Sequence, residues 1–449
     1  MTSVFRPRTL ALFLGDVFFF GVALYIALYL RVLEPVKNDL FWAHLYPFSL
    51  LFVAWVLVYF IAGLYESRSI LLARRALSAT LLVAQSFNMV IAALFFFFVP
   101  LFGIAPKTLL VIYLVISFLL ILYWRVVLFP WLGLMRTEHA IVVGEGKEIE
   151  SIAIAMNAAH RAPVRVAEVV PASAPNLSQE IVAAMQRSHS RVVVADFADP
   201  RVSAAFPQVY NLISLGVRFF DAIPVYEELF GRIPLAVLDE RWLARNISLY
   251  SHTYYDTLKR AFDIVVAIPA LILSLVFYPF IILAIKLQDG GAAIISMPRV
   301  GEAGRVFSFY KFRSMSGNDG GNYGEAGESR LVVTPVGRVL RASRLDELPQ
   351  LYNLLRGDLS LIGPRPEVPT LVQLYEEEIP YYGVRHLIKP GISGWAQLYH
   401  HADPHHKAAV MDTRDKLSYD LYYLKHRSLL LDITIAVKTI RRLLVRGNA

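Results

Sequence analysis

Four long apolar stretches dominate the first third of the chain, and each is long enough to cross a bilayer as a helix. They extend approximately over Leu10–Leu30, Leu45–Leu64, Ala76–Val99 and Leu109–Phe129. The first stretch contains Asp16 and lacks the short apolar core and small-residue cleavage site of a signal peptide. We therefore predict four transmembrane helices within residues 1–136.

The basic residues that flank these stretches predict their orientation. Arg6 and Arg8 precede the first stretch, and Arg68, Arg74 and Arg75 join the second to the third, whereas the other two loops are less basic. Because cytoplasmic loops are enriched in Lys and Arg, we predict a cytoplasmic N-terminus. Four crossings then return the chain to the cytoplasm.

The hydrophobic pattern changes after the fourth stretch. Short β-branched runs, HAIVVGEG, VRVAEVV, RVVVADF and GVRFFDAI, alternate with polar helical segments, which predicts a Rossmann-like α/β domain over residues 137–250. The first strand ends in Gly144-Glu145-Gly146, but the third glycine of a dinucleotide fingerprint would fall at Ile149. The incomplete motif favours a role in assembly or regulation over nucleotide binding.

A fifth apolar run covers residues 263–286 and is also long enough to span a membrane. Basic residues flank it on both sides, with Lys259 and Arg260 before it, so both ends favour the cytoplasmic face. Pro269 and Pro279 would interrupt the helix. We predict a re-entrant membrane helix here, and a kinked span is the alternative.

Composition agrees with a membrane protein of several domains. The 449 residues are 56% hydrophobic and carry a formal net charge of +8, which indicates a membrane protein with a basic face, and no nucleic-acid partner is expected. The chain contains no cysteine, so disulfides, thiolate metal sites and cysteine nucleophiles are excluded. Any chemistry must depend on oxygen and nitrogen groups.

The stretch RLDELPQLYNLLRGDLSLIGPRPE places an acid pair close to a proline and a Gly-Pro-Arg-Pro turn. Because Pro349 cannot lie deep in a helix, we predict a helix that begins near Asp346 or Glu347 and ends at Gly357. One interpretation is structural, since Ser343 and Asp346 fit a capping box. The other is chemical: one carboxylate could face a reacting phosphorus while its neighbour holds a divalent ion.

Cations near the acid pair favour the chemical interpretation. Lys311, Arg341, Arg344 and Arg365 could bind phosphate oxygens. A helix N-terminus and these cations would also lower the pKa of Asp346, which predicts an ionised carboxylate at neutral pH.

At this point several motifs together resemble one family, the monotopic polyprenyl-phosphate phosphoglycosyl transferases of bacterial sugar transfer. The motifs are Lys259-Arg260-x-x-Asp263, Arg299-Val300-Gly301, Tyr310-Lys311-Phe312-Arg313-Ser314-Met315, Leu345-Asp346-Glu347-Leu348-Pro349-Gln350, Gly363-Pro364-Arg365-Pro366, Lys389-Pro390-Gly391-Ile392-Ser393-Gly394-Trp395 and Asp420-Leu421-Tyr422-Tyr423. The resemblance extends from about Tyr254 to the C-terminus, and the upstream spans and α/β segment resemble the long-form members.

The resemblance implies an α/β-type catalytic domain over residues 251–449, on the cytoplasmic face of the bacterial inner membrane. It implies transfer of a sugar-1-phosphate from a UDP-sugar, with UDP-glucose or UDP-galactose expected, to undecaprenyl phosphate, with release of UMP. This reaction would be the first membrane step of exopolysaccharide, capsule or O-antigen synthesis. The sugar, a homodimer and the role of the Rossmann-like domain stay open.

The resemblance also implies roles for individual residues. Asp346 would be the nucleophile that forms an aspartyl-phosphosugar intermediate, and Glu347 would bind Mg²⁺. The expected substrate-binding residues are Lys311, Arg313, Arg341, Arg344, Arg365, Lys259, Arg260 and Asp263.

The chain departs from the family pattern at three places. Tyr278-Pro279 stands where Ser-Pro is usual, and Pro298 stands where glutamine is common. After Gln397 the chain reads LYHHADPHHK instead of an asparagine-glycine-arginine run, which leaves the sugar specificity open. We predict that the histidines of this segment, His400, His401, His405 and His406, lie in a solvated loop and do not bind a metal.

Two other functional classes are alternatives. Tyr255 and Lys259 have the Tyr-x-x-x-Lys spacing of a nucleotide-sugar dehydratase, but the upstream glycine motif is incomplete. A non-catalytic scaffold that docks on anionic lipid would explain the spans and the charge, but not the combined order of the motifs.

Overall fold

The computed structural model describes residues 7–62, 64–65, 74–98, 107–132, 138–158, 164–247, 253–315, 331–399 and 410–446. Contacts divide the chain into two compact units, Met1–Leu229 and Phe230–Ala449. The histidines between residues 400 and 406 lie outside the described residues, so the loop predicted there stays a prediction.

The first unit begins with four apolar helices, which lie where the sequence predicts the four spans. The helices are α1 (Pro7–Val32), α2 (Asn38–Ile61), α3 (Arg74–Phe98) and α4 (Lys107–Tyr123), and a π-helical turn, Trp124–Leu128, continues α4 towards Trp131. All four are long and apolar enough to cross a membrane. Phe20, Trp55 and Tyr113 are fully buried among them, whereas many other apolar side chains face outward, as expected for contact with lipid.

A charged pair lies inside this bundle. The Asp16 carboxylate on α1 is fully buried and accepts a 3.0 Å hydrogen bond from Nε of Arg125, which the π-helical turn carries. The Tyr65 hydroxyl donates to the same carboxylate at 2.7 Å, and a second Arg125 nitrogen donates to the Leu64 carbonyl. The pair therefore joins residues that are more than one hundred positions apart, and each charge is compensated.

The α/β segment of the first unit forms a four-stranded parallel sheet of order β2-β1-β3-β4. Its elements are β1 (Glu138–Val143), α5 (Lys147–Ala158), β2 (Val164–Val170), α6 (Leu177–Ser188), β3 (Val192–Ala195), α7 (Pro200–Val209), β4 (Arg218–Asp221) and α8 (Ala222–Phe230). Buried Val and Ile residues of β1 and β3 form the centre of its core. The four predicted strands are confirmed.

The loop after β1 is filled by the chain's own side chains. A Cβ on Gly144 would lie 3.0 Å from Ile149, the residue at the position of the missing third glycine. Glu145 accepts a hydrogen bond from the Ser173 N–H and forms a 3.0 Å ion pair with Arg201. An acidic side chain at this position opposes a phosphate group, so the loop favours the structural interpretation of Gly144-Glu145-Gly146.

The second unit combines short strands with helices around one core. In chain order it contains α9 (Glu240–Asn246), α10 (Thr253–Leu275), α11 (Tyr278–Asp289), β5 (Ile294–Val300), β6 (Val306–Phe312), α12 (Pro335–Ser343), α13 (Gln350–Arg356), β7 (Ser360–Ile362), α14 (Pro369–Glu378), β8 (Gly391–Ser393), α15 (Trp395–Tyr399), α16 (Val410–Lys425) and α17 (Leu429–Arg446). Strands β5 and β6 form an antiparallel hairpin, and β7 pairs with β8 in parallel.

Residues 230–247 pack on the core of the second unit, although the sequence assigns them to the α/β domain. Ile233 is fully buried in that core, and its N–H donates to the Ser418 carbonyl at 3.0 Å. Trp395 donates a hydrogen bond to the Gly231 carbonyl. The segment therefore contributes contacts that a domain beginning at residue 251 would lack.

Helices α10 and α11 are bent by 53° at a short break, as a broken span or a re-entrant helix would be. The break falls at Val276 and Phe277, directly before Pro279 in the first turn of α11. Pro269 lies inside α10, which continues past it. The prediction of two proline breaks is therefore wrong for Pro269, and the re-entrant path stays a prediction.

Candidate functional site

The acid pair lies on a tight turn between two helices. Helix α12 ends at Ser343. The next residue, Arg344, adopts a left-handed conformation with φ 59°, and Leu345–Glu347 then form one 3₁₀ turn. Helix α13 begins only at Gln350 and ends at Gly357, so the predicted C-terminus is confirmed and the predicted start is wrong by one turn. Pro349 explains the delay, because it is accepted just before a helix and not inside it.

The capping-box interpretation is wrong. The Ser343 hydroxyl donates back to the Val339 carbonyl at 2.8 Å, and Asp346 accepts none of its hydrogen bonds. Oδ1 of Asp346 is buried and has no hydrogen-bond partner among the described residues. A buried acceptor without a partner is unfavourable by about 1–3 kcal/mol. Such an atom is more typical of a reactive or ligand-binding group than of a structural cap.

Several cations surround the two carboxylates. Nη1 of Arg344 lies 3.0 Å from Oε1 of Glu347, and Nη2 of Arg365 lies 3.7 Å from the same oxygen. Lys311 extends from β6, which packs against the acidic turn. The Lys311 and Asp346 side chains are close enough for each to shift the pKa of the other. The site therefore combines two acids with cations from three separate parts of the chain.

Burial dominates the titration of this cluster. It raises the pKa of Asp346 to about 6, with a further increase from Glu347, and the charges of Lys311, Arg344 and Arg341 offset this only in part. The predicted lowering of this pKa is therefore wrong, because desolvation of the carboxylate outweighs the cations. Burial likewise lowers the pKa of Lys311 to about 8, and the neighbouring arginines add to that effect.

The loop that carries Arg365 is held at every residue by the rest of the second unit. Five successive residues each make one hydrogen bond of 2.8–3.3 Å through a backbone atom. The Gly363 N–H donates to the Ser393 carbonyl. The carbonyls of the next four residues accept, in order, Pro364 from Gly391 N, Arg365 from Arg385 Nη2, Pro366 from Arg299 Nη1 and Glu367 from Val300 N. A Cβ on Gly391 would lie 2.1 Å from Gly363 N, so only glycine permits this approach. The Gly-Pro-Arg-Pro turn therefore presents Arg365 from a rigid loop.

Arg385 is the central donor of this arrangement, and the sequence did not single it out. Its buried guanidinium pairs with Asp420 at 2.8 Å, donates to the Tyr382 hydroxyl and reaches the Arg365 carbonyl. Next to it, Lys416 and Arg299 pair with Glu367 and help to lower the pKa of that carboxyl to about 2. A lone arginine in a short 3₁₀ helix, Tyr382–Leu387, has no periodic signal, so only the contacts identify it.

The other predicted substrate-binding residues lie elsewhere. Lys259 forms a 2.8 Å ion pair with Asp432, and the Tyr255 hydroxyl donates a 2.8 Å hydrogen bond to the same carboxylate. The Tyr-x-x-x-Lys pair of the dehydratase alternative is therefore part of a buried cluster with Tyr423. Arg260 donates to the carbonyls of Leu354 and Leu355 at the end of α13.

Arg313 and Asp263 also make structural contacts. The guanidinium of Arg313 lies against Gly291, in the space that a Cβ at this position would occupy. Asp263 accepts the Leu361 N–H at 3.0 Å. Together with Lys259 and Arg260, these residues stabilise the surroundings of the site.

The acid pair has the donor chemistry that Mg²⁺ requires. Magnesium usually binds one or two carboxylates together with substrate phosphate and water, and Glu347 and the unpartnered Oδ1 of Asp346 offer such oxygens. Among the described residues, no group of three or more acidic or histidine side chains could form a complete protein site. The residues present therefore fit a metal that binds together with a phosphate.

The second unit is similar in sequence to known proteins. The family described as bacterial sugar transferase matches residues 254–446. UDP-N-acetylgalactosamine-undecaprenyl-phosphate N-acetylgalactosaminephosphotransferase of Aeromonas hydrophila is 41% identical over 269 residues, 57% of this chain and 60% of that protein. Undecaprenyl-phosphate glucose phosphotransferase of Komagataeibacter xylinus is 36% identical over 261 residues, 56% of this chain and 46% of that protein.

This chain thus spans about half to three fifths of the length of these two relatives. A shorter relative is covered more fully: UDP-glucose:undecaprenyl-phosphate glucose-1-phosphate transferase of Caulobacter vibrioides is 37% identical over 198 residues, 43% of this chain and 72% of that protein. The matched region contains the acidic turn and the loop of Arg365. The chain belongs to the bacterial sugar transferase family.

Proposed function

We propose that the chain transfers a sugar-1-phosphate from a UDP-sugar to undecaprenyl phosphate and releases UMP. The observation that carries the proposal is the buried Asp346 carboxylate, whose Oδ1 has no partner among the described residues while cations surround the acid pair. The names of the relatives support undecaprenyl phosphate as the acceptor class.

In the proposed first step, a carboxylate oxygen of Asp346 attacks the β-phosphorus of the UDP-sugar. The new bond is an acyl-phosphate ester, and the bond between the β-phosphorus and the bridging oxygen breaks, so UMP leaves with that electron pair. In the second step, a phosphate oxygen of the lipid acceptor attacks the same phosphorus and the carboxylate is regenerated. The pKa of about 6 leaves most Asp346 side chains ionised at neutral pH.

Two cations would stabilise the charge that develops on the phosphoryl oxygens. Arg365 is the better oriented of them, because its backbone is fixed and its guanidinium already faces Glu347. Lys311 is half-buried, and its charge interacts more strongly in this setting than it would in water.

We propose that Glu347, with Asp346, holds Mg²⁺ when the donor is bound. The ion would neutralise diphosphate charge and so lower the repulsion that an attacking carboxylate meets.

The proposed setting is the cytoplasmic face of the bacterial inner membrane. The bend between α10 and α11 supports a re-entrant path, because a helix that leaves through the leaflet it entered keeps both flanks on one side. The site would then lie at the headgroup level, where the acceptor phosphate is found. The parallel sheet of the first unit would serve as a Rossmann-like module for assembly or regulation, and a homodimer is compatible with this role.

The donor sugar is to be chosen by experiment. UDP-glucose and UDP-galactose are expected from the family resemblance, and the name of the Aeromonas relative adds UDP-N-acetylgalactosamine. A first measurement is UMP release by the purified chain over these three donors with undecaprenyl phosphate and Mg²⁺.

The decisive test omits the acceptor. With the active donor, the wild-type chain should release about one UMP per active site in a burst, because the covalent intermediate forms without lipid. Asp346→Asn should abolish the burst, whereas Asp415→Asn, at an exposed acid of the same unit, should preserve it. If UMP appeared only after lipid was added, direct attack by the acceptor would replace the covalent route.

A further inference from the structure

The second unit contains a polar cavity of about 260 Å³ that is separate from the acid pair. One wall is a single face of α10, formed by Asp256, Lys259, Arg260 and Asp263, directly before the apolar part of that helix. The acid pair, Lys311 and Arg365 do not line it. The cavity therefore lies at the polar end of the bent membrane helix, and three of its residues, Lys259, Arg260 and Asp263, are among those that the resemblance assigns to substrate binding.

Most charges on the α10 wall are already compensated. Lys259 is paired with Asp432, Arg260 is bonded to two backbone carbonyls, and Asp263 accepts a backbone N–H. Asp256 lies 3.3 Å from Nη1 of Arg427. The remaining acid of the lining, Glu302, is exposed, so solvent screens its charge.

Three donors of the lining remain without acceptors among the described residues. Ser360 is 1% exposed, and its Oγ has no hydrogen-bond partner there. Nε of Arg427 is also buried without a partner. Lys389 lines the same cavity, and its Nζ has no ion pair or hydrogen bond to any described residue. Ser360 and Lys389 are neighbours across paired strands, because the Ser360 N–H donates to the Pro390 carbonyl.

The chemistry of these donors selects the ligand. Lysine and the arginine Nε can only donate hydrogen bonds, and a serine hydroxyl can join them, so an occupant must present several acceptor oxygens and a negative charge. A phosphate group meets both conditions. Because the cavity adjoins the apolar run of α10, the phosphate that reaches it most directly belongs to a membrane lipid.

We propose that this cavity binds the headgroup phosphate of an anionic membrane lipid through Lys389, Ser360 and Arg427. The site would anchor the bent helix pair at a fixed depth. The proposal rests on the membrane placement in the proposed function, but it is independent of the chemistry at Asp346.

The test measures lipid binding and not activity. The full chain in detergent is titrated with dioleoyl phosphatidic acid or dioleoyl phosphatidylcholine, and bound lipids are counted by native mass spectrometry. The wild type should prefer phosphatidic acid, and Lys389→Met should weaken phosphatidic acid binding about tenfold, as expected for loss of one charge-assisted hydrogen bond. Lys147→Met, at an exposed lysine of the first unit, should leave the preference unchanged.

A second variant distinguishes loss of the lipid site from misfolding. Ser360→Ala removes one oxygen from a buried position, and it should reduce phosphatidic acid binding by about threefold without changing the elution volume of the chain. Asp346→Asn should bind lipid as the wild type does while it loses the UMP burst, so failure of this proposal and failure of the proposed function give different results.

Two outcomes would overturn the proposal. One is equal binding of phosphatidic acid by the wild type and Lys389→Met. The other is Lys389-dependent stabilisation by millimolar inorganic phosphate with no preference among lipids, which would assign the cavity to free phosphate.

Discussion

Replacement of Arg385 by methionine should separate stability from catalysis. The change removes the partner of Asp420, whose side chain is 2% exposed, and also removes the hydrogen bonds to Tyr382 and to the Arg365 carbonyl. Loss of one partner of a buried ion pair typically destabilises a protein by about 3–5 kcal/mol. This is a large part of the roughly 5–15 kcal/mol that stabilises an ordinary domain.

A double variant separates the loss of stability from the loss of activity. In Arg385→Met with Asp420→Leu, the uncompensated charge is gone, so most of the lost stability should return. The Arg365 carbonyl still lacks its donor, so the UMP burst should stay slow by about 100-fold, the usual result of a shift of about 1 Å in a catalytic group. Arg385 is a positioning residue, and the double variant should show this directly.

The assay is pulse proteolysis in urea of the full chain in nanodiscs, followed through fragments of the second unit. At about 1–3 kcal/mol per molar urea, the single variant should lower the unfolding midpoint by roughly 1–5 M. Arg356→Met is the matched control, since the Arg356 side chain is largely exposed and its 3.5 Å pair with Asp358 contributes less than about 1 kcal/mol. A midpoint shift no larger than in this control, or a full return of the burst rate in the double variant, would refute the reasoning.

Four further predictions follow from individual groups. Because burial raises the pKa of Asp346 to about 6, the burst rate should fall as the pH drops through about 6. Lys311→Met should move the midpoint of this pH dependence upward, and a wild-type midpoint near 4 would contradict the burial effect. The lowered pKa of Glu367 stabilises the folded chain at any pH above the unfolded pKa of about 4.5, and this stabilisation is lost as the pH falls towards 2. Glu367→Gln should therefore lower the free energy of unfolding by about 3 kcal/mol at pH 7 and make it less dependent on pH over that range. Cysteines introduced by Ser214→Cys and Ser428→Cys, both exposed positions, should resist an impermeant thiol reagent in intact cells, and labelling of the Ser428 variant alone would make the bent pair a true span. A chain that starts at Phe230 should keep the UMP burst, whereas one that starts at Ser251 loses the packing of Ile233 and should unfold at a lower urea concentration; equal midpoints would show that the segment is dispensable.

The sequence predicts best where a pattern repeats. The length of an apolar run and the periodicity of a β-branched run can both be read from consecutive residues. The amino-acid pattern alone is therefore enough to locate the four helices and the parallel strands. The acid pair and Arg365 are also visible, because they lie in motifs. Two local predictions are wrong: the Ser343 hydroxyl donates back into its own helix, and α10 continues past Pro269.

The remaining features depend on contacts between distant residues. The direction of the Asp346 pKa shift depends on how deeply the turn is buried, and a motif does not contain that information. Arg385 acquires its role from Asp420 and from a carbonyl twenty residues away along the chain. Residues 230–247 join the second unit through Ile233, whose apolar side chain would suit either core equally well.

The pair of Asp16 and Arg125 has a consequence for the biogenesis of the protein. The two charges belong to the first and the last of the four apolar helices, so the carboxylate enters the translocon long before its partner is synthesised. An acid at the centre of an inserting helix is unfavourable by roughly 2.5–3.5 kcal/mol until it is compensated. This is the upper bound for Asp16, which lies about a third of the way along α1. Synthesis of the fourth helix should therefore act as a checkpoint: a chain truncated after Phe98 retains an unpaired acid in the lipid and should be degraded faster than one truncated after Trp131.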